Sequence, residues 1–200
     1  MRILIIGGNG TIGNVVTKYF SKDNEVLVAG RNSGDVHLNI ADSTSIKKAL
    51  ESVGKLDAIV CIAGEAKWNN FDLLSEEDYY IGLKSKLMGQ VNLVRIGRHY
   101  LNPNGSITLS TGILADDPVP KTTSAAMVNG GIHSFVQAVA LEIENGMRVN
   151  AVSLGLVQDA YKKYKDYFPG HVSVSMETVI SAYKKSILGS GNGEVIRFYK

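Results

Sequence analysis

Two hundred residues with 44% hydrophobic content and no compositional shift predict one domain, residues 1–200, built on a single sizeable core. A formal net charge of +2 with no basic face argues against a nucleic-acid partner, and no apolar run reaches the length of a membrane span. One Arg and four aliphatic residues before the first glycine are too few for an export leader, so a soluble, cytoplasmic protein with no membrane partner is expected.

In chain order, the apolar run 3–6 reads as a strand, and it ends in Gly7-Gly8-Asn9-Gly10-Thr11-Ile12-Gly13 before a helix over 12–20. Glycines there let the backbone turn tightly and approach a phosphate, while the helix start offers N–H groups and the positive end of its dipole. This turn predicts a dinucleotide site made by Gly7, Asn9, Gly10, Thr11, Ile12 and Gly13. A second strand over 25–29 ends at Arg31, where a ribose reader belongs. An acid would accept from a 2′-hydroxyl; Arg31 with Asn32 and Ser33 offers a cation and further donors to a 2′-phosphate, which favours NADP(H) over NAD(H).

A strand over 36–40 follows so soon that no normal helical crossover fits between, so either that helix is lost or one strand is misread. A helix over 43–53 with Asp42 or Ser43 as its cap leads to a strand over 58–62, where the lone Cys61 reads as a buried, inert thiol. Trp68 and Phe71 follow in a loop, either as a wall of a substrate cleft or packed on the next helix. That helix spans 75–100 behind a Ser75/Asp78 capping box. A strand over 106–110, a helix over 125–144, a strand over 148–154, a polar-aromatic segment 160–175, a helix over 176–188 and a strand over 194–198 complete the chain. The Tyr161-Lys162-Lys163-Tyr164-Lys165 run reads as a solvated helix face, and 160–175 as a flap near the ligand. Alternation of strands and helices predicts an α/β fold, a doubly wound parallel sheet between two helical layers. The four histidines lack ligand spacing, so no metal site is expected.

Gly7, Gly10 and Gly13, then Asn39-Ile40-Ala41-Asp42, Ala63-Gly64 and Arg148-Val149-Asn150-Ala151-Val152-Ser153-Leu154-Gly155 fall in the order of short-chain dehydrogenase/reductase motifs, and the chain resembles that family over essentially its whole length. The resemblance implies a Rossmann-type fold and adds Asn39, Ile40, Ala63, Gly64 and Gly155 to the cofactor contacts. It also shows what is missing: the family's Tyr and its Lys four residues later fall on Ala125 and Asn129, and the relay asparagine of the long helix on Gly82. Asn129 keeps the ability to hydrogen-bond a ribose hydroxyl. Ser110 or Thr111 remains as the hydroxyl that holds a substrate carbonyl, and Lys86, ahead of Lys121 and His133, is the candidate replacement acid.

Two functions follow. The preferred one is an NADP(H)-dependent oxidoreductase acting on a small molecule through a non-standard site; the other is a protein that binds NADP(H) without turnover. The family also implies a homodimer or homotetramer through helices 75–100 and 125–144, whose stripes Leu83, Leu87, Val91, Val94 and Phe135, Val139, Ile143 would serve equally to face the sheet.

Overall fold

The computed structural model describes residues 1–199. Seven strands run parallel in the order β3-β2-β1-β4-β5-β6-β7: β1 (Arg2–Ile6), β2 (Glu25–Gly30), β3 (Val36–His37), β4 (Leu56–Cys61), β5 (Leu101–Gly112), β6 (Arg148–Leu154) and β7 (Val195–Phe198). The helices are α1 (Thr11–Phe20), α2 (Ser43–Val53), α3 (Glu76–Gly82), α4 (Gly89–Gly97), α5 (Thr123–Val139), α6 (Gln158–Tyr164) and α7 (Met176–Leu188). This is the expected doubly wound, three-layer α/β/α arrangement.

Successive side chains of a strand point to opposite faces, and a sheet covered on both sides reads as an unbroken apolar run. In β1, Ile3 and Ile5 pack with Val16 and Phe20 of α1 and with Tyr183 of α7, while Leu4 and Ile6 pack with Leu50 of α2, Leu93 of α4 and Val136 of α5. Five of the seven stripe residues fall on the second of these faces: Val94 is buried there, and Leu87, Phe135, Val139 and Ile143 are partly buried against the same cluster, whereas Leu83 and Val91 are half-buried outside it.

Order reverses at β1, which has β2 on one side and β4 on the other, so a crevice opens beyond their carboxyl ends where ligands of such sheets bind. The crossover helix from β2 to β3 is indeed lost. The connecting loop folds back along β2, with Asp35 donating its N–H to the Val28 carbonyl and accepting the Val28 N–H on its carboxylate, at 2.7 and 2.9 Å. This leaves β3 only two residues long, shorter than the expected 36–40.

Both capping predictions hold: Asp42 accepts from Thr44 N–H, and Ser75 with Asp78 closes a reciprocal box. The long helix is continuous but not uniform, because Leu83–Met88 winds as a π-helix between α3 and α4. Helix α5 begins at Thr123 and stops at Val139, short of the expected 144; Thr122 does not cap it, since its hydroxyl donates to the Val119 carbonyl instead. The segment 160–175, expected as a polar-aromatic stretch between strand and helix, begins inside α6 and closes on a parallel bridge between Val157 and Val174. Its lysines are exposed, as a solvated face requires.

Where β4 ends at Cys61, β5 continues, and its Ser110 would lose the ladder partners on that side. The buried side chain of Gln90 supplies them, donating to the Ser110 carbonyl and accepting its N–H, each at 3.0 Å. Gln90→Leu leaves both groups unpaired in the interior, so its unfolding free energy is expected to fall by about 2–4 kcal/mol. Chemical denaturation checks this; a midpoint equal to wild type would mean that water replaces the amide.

Candidate active site

The first groove, about 490 Å³ in volume, lies over the carboxyl ends of β1, β2 and β4. Gly7, Asn9 and Gly10 line it from the turn after β1; Arg31, Asn32 and Ser33 line it from the end of β2. Asn39 and Ile40 follow β3, and Ala63 and Gly64 follow β4 on the far side. Ten residues expected to hold a cofactor therefore converge there. Thr11, Ile12 and Gly13 form the first turn of α1 beside it, a turn whose N-cap, Gly10, brings no side-chain cap to the first N–H groups. Asn9 donates to the Ser33 hydroxyl at 3.1 Å, tying the phosphate turn to the β2 loop. Arg31 and Glu65 face each other across the mouth at 3.7 Å; both are well exposed, so the pair yields readily to a bound anion.

A second, smaller cleft of about 190 Å³ shares Gly64 with the first. Lys86, Thr111, Ala125 and Asn129 line it, with Trp68, Leu114 and Val128 as apolar wall. Gly64 has φ +111°, and a Cβ on it would lie 3.0 Å from Lys86 Cα and 3.1 Å from its Cδ, so the lysine stem rests directly on the glycine backbone. Glu65 N–H donates to the Ser85 hydroxyl at 3.3 Å, fastening the same loop to the π-helical stretch. Burial pushes the Lys86 ammonium below the usual lysine range, with the Cys61 position opposing weakly. π-Turns recur at functional sites, and here one presents a lysine to the cleft.

Several expectations are corrected by the geometry. Ser110 is not the substrate-facing hydroxyl. Its side chain points to the α7 face with Ser106 and Thr108, bonded to Tyr183 OH at 2.7 Å and donating to the Cys61 carbonyl. The two-residue period of β5 turns Thr111 the other way, into the cleft, with His133 Nε2 at 2.8 Å from its Oγ1. Gly82, the position the resemblance gives to the relay asparagine, does not itself line the cleft: it lies behind Ala66, Ser124 and Val128, and Lys86, four residues later, lines it. Gly155 lines neither groove, because Tyr199 and Val174 pack over it. Phe71 is exposed and does not line the cleft, whereas Trp68 lines it and lies against Tyr164 and Tyr167 at 5.8 and 6.1 Å. Lys121 is exposed in the turn before α5 and stays out of the cleft. Burial pushes the Cys61 thiol up to about 11, the inert sulfur expected. No group of three or more metal-ligating side chains exists among the described residues.

Two observations test whether these residues suit a nicotinamide dinucleotide. Asn129 lines the cleft, and its Oδ1 is buried without a partner among the described residues, an acceptor that a ribose hydroxyl would satisfy. Gly10 has ordinary extended angles, φ −76° and ψ 175°, and its missing Cβ would meet nothing nearer than 3.4 Å, so neither backbone nor packing demands glycine there. Space reserved for a closely approaching ligand does. The residues fit the group.

A family model described as enoyl-(acyl carrier protein) reductase matches residues 14–178. Oxidoreductase UcpA of Salmonella typhimurium is 24% identical over 180 residues, 78% of this chain and 68% of UcpA; dihydropteridine reductase of Dictyostelium discoideum is 28% identical over 172 residues, 78% of this chain and 71% of that protein. Among solved structures, protein lin1944 from Listeria innocua superposes with a TM-score of 0.97 at 41% identity, over 100% of both chains. A small-chain dehydrogenase in complex with NADPH superposes at 0.87 and 28% identity, over 99% of this chain and 96% of that one. With most of its length matched by the family model and its fold shared end to end, the chain belongs to the short-chain dehydrogenase/reductase family of oxidoreductases, which bind a nicotinamide cofactor.

Proposed function

We propose that this protein is an NADPH-dependent reductase of small, largely apolar carbonyl compounds. The observation that carries the reading is the convergence of Lys86 and Thr111 on one small cleft beside Asn129 and adjoining the dinucleotide groove. When bound, the nicotinamide supplies a hydride. Arg31, with Asn32 and Ser33, meets the 2′-phosphate, the α1 start meets the pyrophosphate, and Asn129 accepts from the nicotinamide ribose. Thr111 donates a hydrogen bond to the substrate carbonyl and fixes its direction. Lys86 donates a second, and as charge develops on that oxygen it gives up its proton, a transfer that burial of the ammonium eases. Ala125 handles no proton, and the apolar walls of Trp68, Leu114 and Val128 exclude water. The NADPH complex of the 28%-identical dehydrogenase supports the choice of coenzyme.

The test is NADPH oxidation against aldehydes, ketones, quinones and activated alkenes. Turnover of carbonyl compounds is expected; tight NADPH binding with background rates throughout would instead favour the non-catalytic reading. Arg31→Asp is expected to lower NADPH affinity about 10- to 100-fold, the worth of one charge-assisted hydrogen bond, and to leave NADH affinity little changed. Equal loss for both coenzymes would remove Arg31 from the 2′-phosphate. The homodimer or homotetramer through the two long helices, α5 and the one that runs from α3 through α4, is part of the same proposal, and light scattering tests it.

A further inference from the structure

Thr111 has one hydroxyl hydrogen, and its environment offers three directions for it: His133 Nε2 at 2.8 Å, the Val152 carbonyl at 3.4 Å, and the open side of the cleft. The first is decisive. If Nε2 is bare, Thr111 donates to it and shows the cleft only lone pairs, which suit the O–H of an alcohol. If Nε2 carries hydrogen, His133 donates to Oγ1 and the hydroxyl hydrogen is left for the Val152 carbonyl, a long bond at 3.4 Å, or for a nearer carbonyl oxygen in the cleft.

His133 is 7% exposed on the inner side of α5, and the only hydrogen bond of its ring among the described residues is the one to Thr111. A hydrogen on Nδ1 would have no protein acceptor, whereas one on Nε2 has Oγ1. We propose that His133 holds the Nε2–H tautomer against Thr111, frees the threonine hydroxyl to exchange its long bond to the Val152 carbonyl for one into the cleft, and so makes the site prefer a carbonyl over the corresponding alcohol. This makes His133 a positioning residue, acting through Thr111, and it rests on the carbonyl-reductase reading of the same cleft.

The charged surroundings agree. Burial is the largest influence on the imidazole and lowers its pKa; the Asp116 carboxylate after β5 opposes this, and Arg197 of β7 reinforces it. Asp116 is already engaged by Arg197 at 2.9 Å and by Tyr199 OH, and Lys86 adds a cation on the cleft side. Burial therefore favours the neutral ring. Both the Nε2–H tautomer and the imidazolium donate to Thr111, so the preference for a carbonyl persists through the titration.

Two measurements test this. In ¹⁵N-labelled protein at neutral pH, the His133 ring should show hydrogen on Nε2 and a bare Nδ1, with the Nε2 shift moving in Thr111→Val; hydrogen on Nδ1 would overturn the proposal whatever the activity. In turnover, His133→Leu should lower kcat/KM for the carbonyl about 10- to 100-fold, the scale of a weakened oxyanion donor, and should bring the alcohol's inhibition constant down relative to the carbonyl KM. His133→Gln, whose amide also donates, should restore most of the loss. Equal defects in the two variants with that ratio unmoved would sink the idea. Were no carbonyl compound turned over, the functional reading would fail while the ring spectrum still decided the tautomer.

Discussion

Lys86→Met is expected to lower kcat for carbonyl reduction about 10²- to 10⁴-fold, the usual worth of a positioned general acid, and to raise thermal stability in the same protein. Methionine keeps the unbranched stem that rests on Gly64, so the packing in which the closest approach is 3.0 Å survives and NADPH affinity should change little. The stability change follows from the sign of the pKa shift. Burial holds the folded-state pKa of Lys86 below its ordinary 10.5, so the unfolded chain binds the proton more tightly. Wild-type stability must therefore rise with pH between the depressed value and about 10.5, and the cost of the buried ammonium is fully present below that window. Methionine removes the cost, so the gain in Tm should be largest at neutral pH and should shrink as pH approaches the ordinary lysine range. The same ionisation predicts a kcat for reduction that falls as pH rises through the depressed pKa. Wild-type turnover in Lys86→Met would exclude the lysine as acid; a lower Tm would mean that an ion pair, and not a desolvated charge, was removed.

The parts of this site that were legible are those whose signal is local. The β1 turn, Arg31 at the end of β2 and the Ala63-Gly64 pair after β4 declare themselves in short stretches, because one strand, one turn and one helix start suffice to specify each. The alternation of Ser106, Thr108 and Ser110 with Ile107 and Leu109 was also readable, but not which face of β5 the cleft would occupy, so the choice between Ser110 and Thr111 needed α5 and α7 in place. Lys86 was legible as a candidate acid on the long helix, but not the π-helical stretch Leu83–Met88 that carries it, which no local propensity announces. Gln90 carried no signal at all. Its role depends on β4 ending before β5, a difference in length between strands 40 or more residues apart. Gly155 misled for a related reason: its neighbour Tyr199 lies at the far end of the chain.

Two of the four glycines of the phosphate turn, Gly10 and Gly13, should respond in opposite ways. Gly10→Asp is expected to raise thermal stability and to abolish NADPH binding. Residue 10 is the N-cap of α1, already in the extended conformation a cap adopts, with no side-chain cap provided. An aspartate there accepts first-turn N–H groups and meets the positive end of the helix dipole, together worth about 1 kcal/mol of stability. The same carboxylate occupies the space and the donors that the pyrophosphate needs. Losing two charge-assisted hydrogen bonds, at about 1.5–3 kcal/mol each, lowers affinity by about 10² to 10⁴ before charge repulsion is added. Gly13→Ala reverses the pattern. Its Cβ would lie 2.1 Å from the Gly7 carbonyl oxygen and 2.8 Å from Gly8 Cα, backbone atoms that cannot swing aside, so the fold itself should lose about 3 kcal/mol or more. Calorimetric titration with NADPH beside thermal unfolding separates the two. If Gly10→Asp bound NADPH as wild type does, the α1 start would not be the pyrophosphate site, and the alignment of Thr111 and Lys86 with a nicotinamide in the adjoining cleft would fall with it.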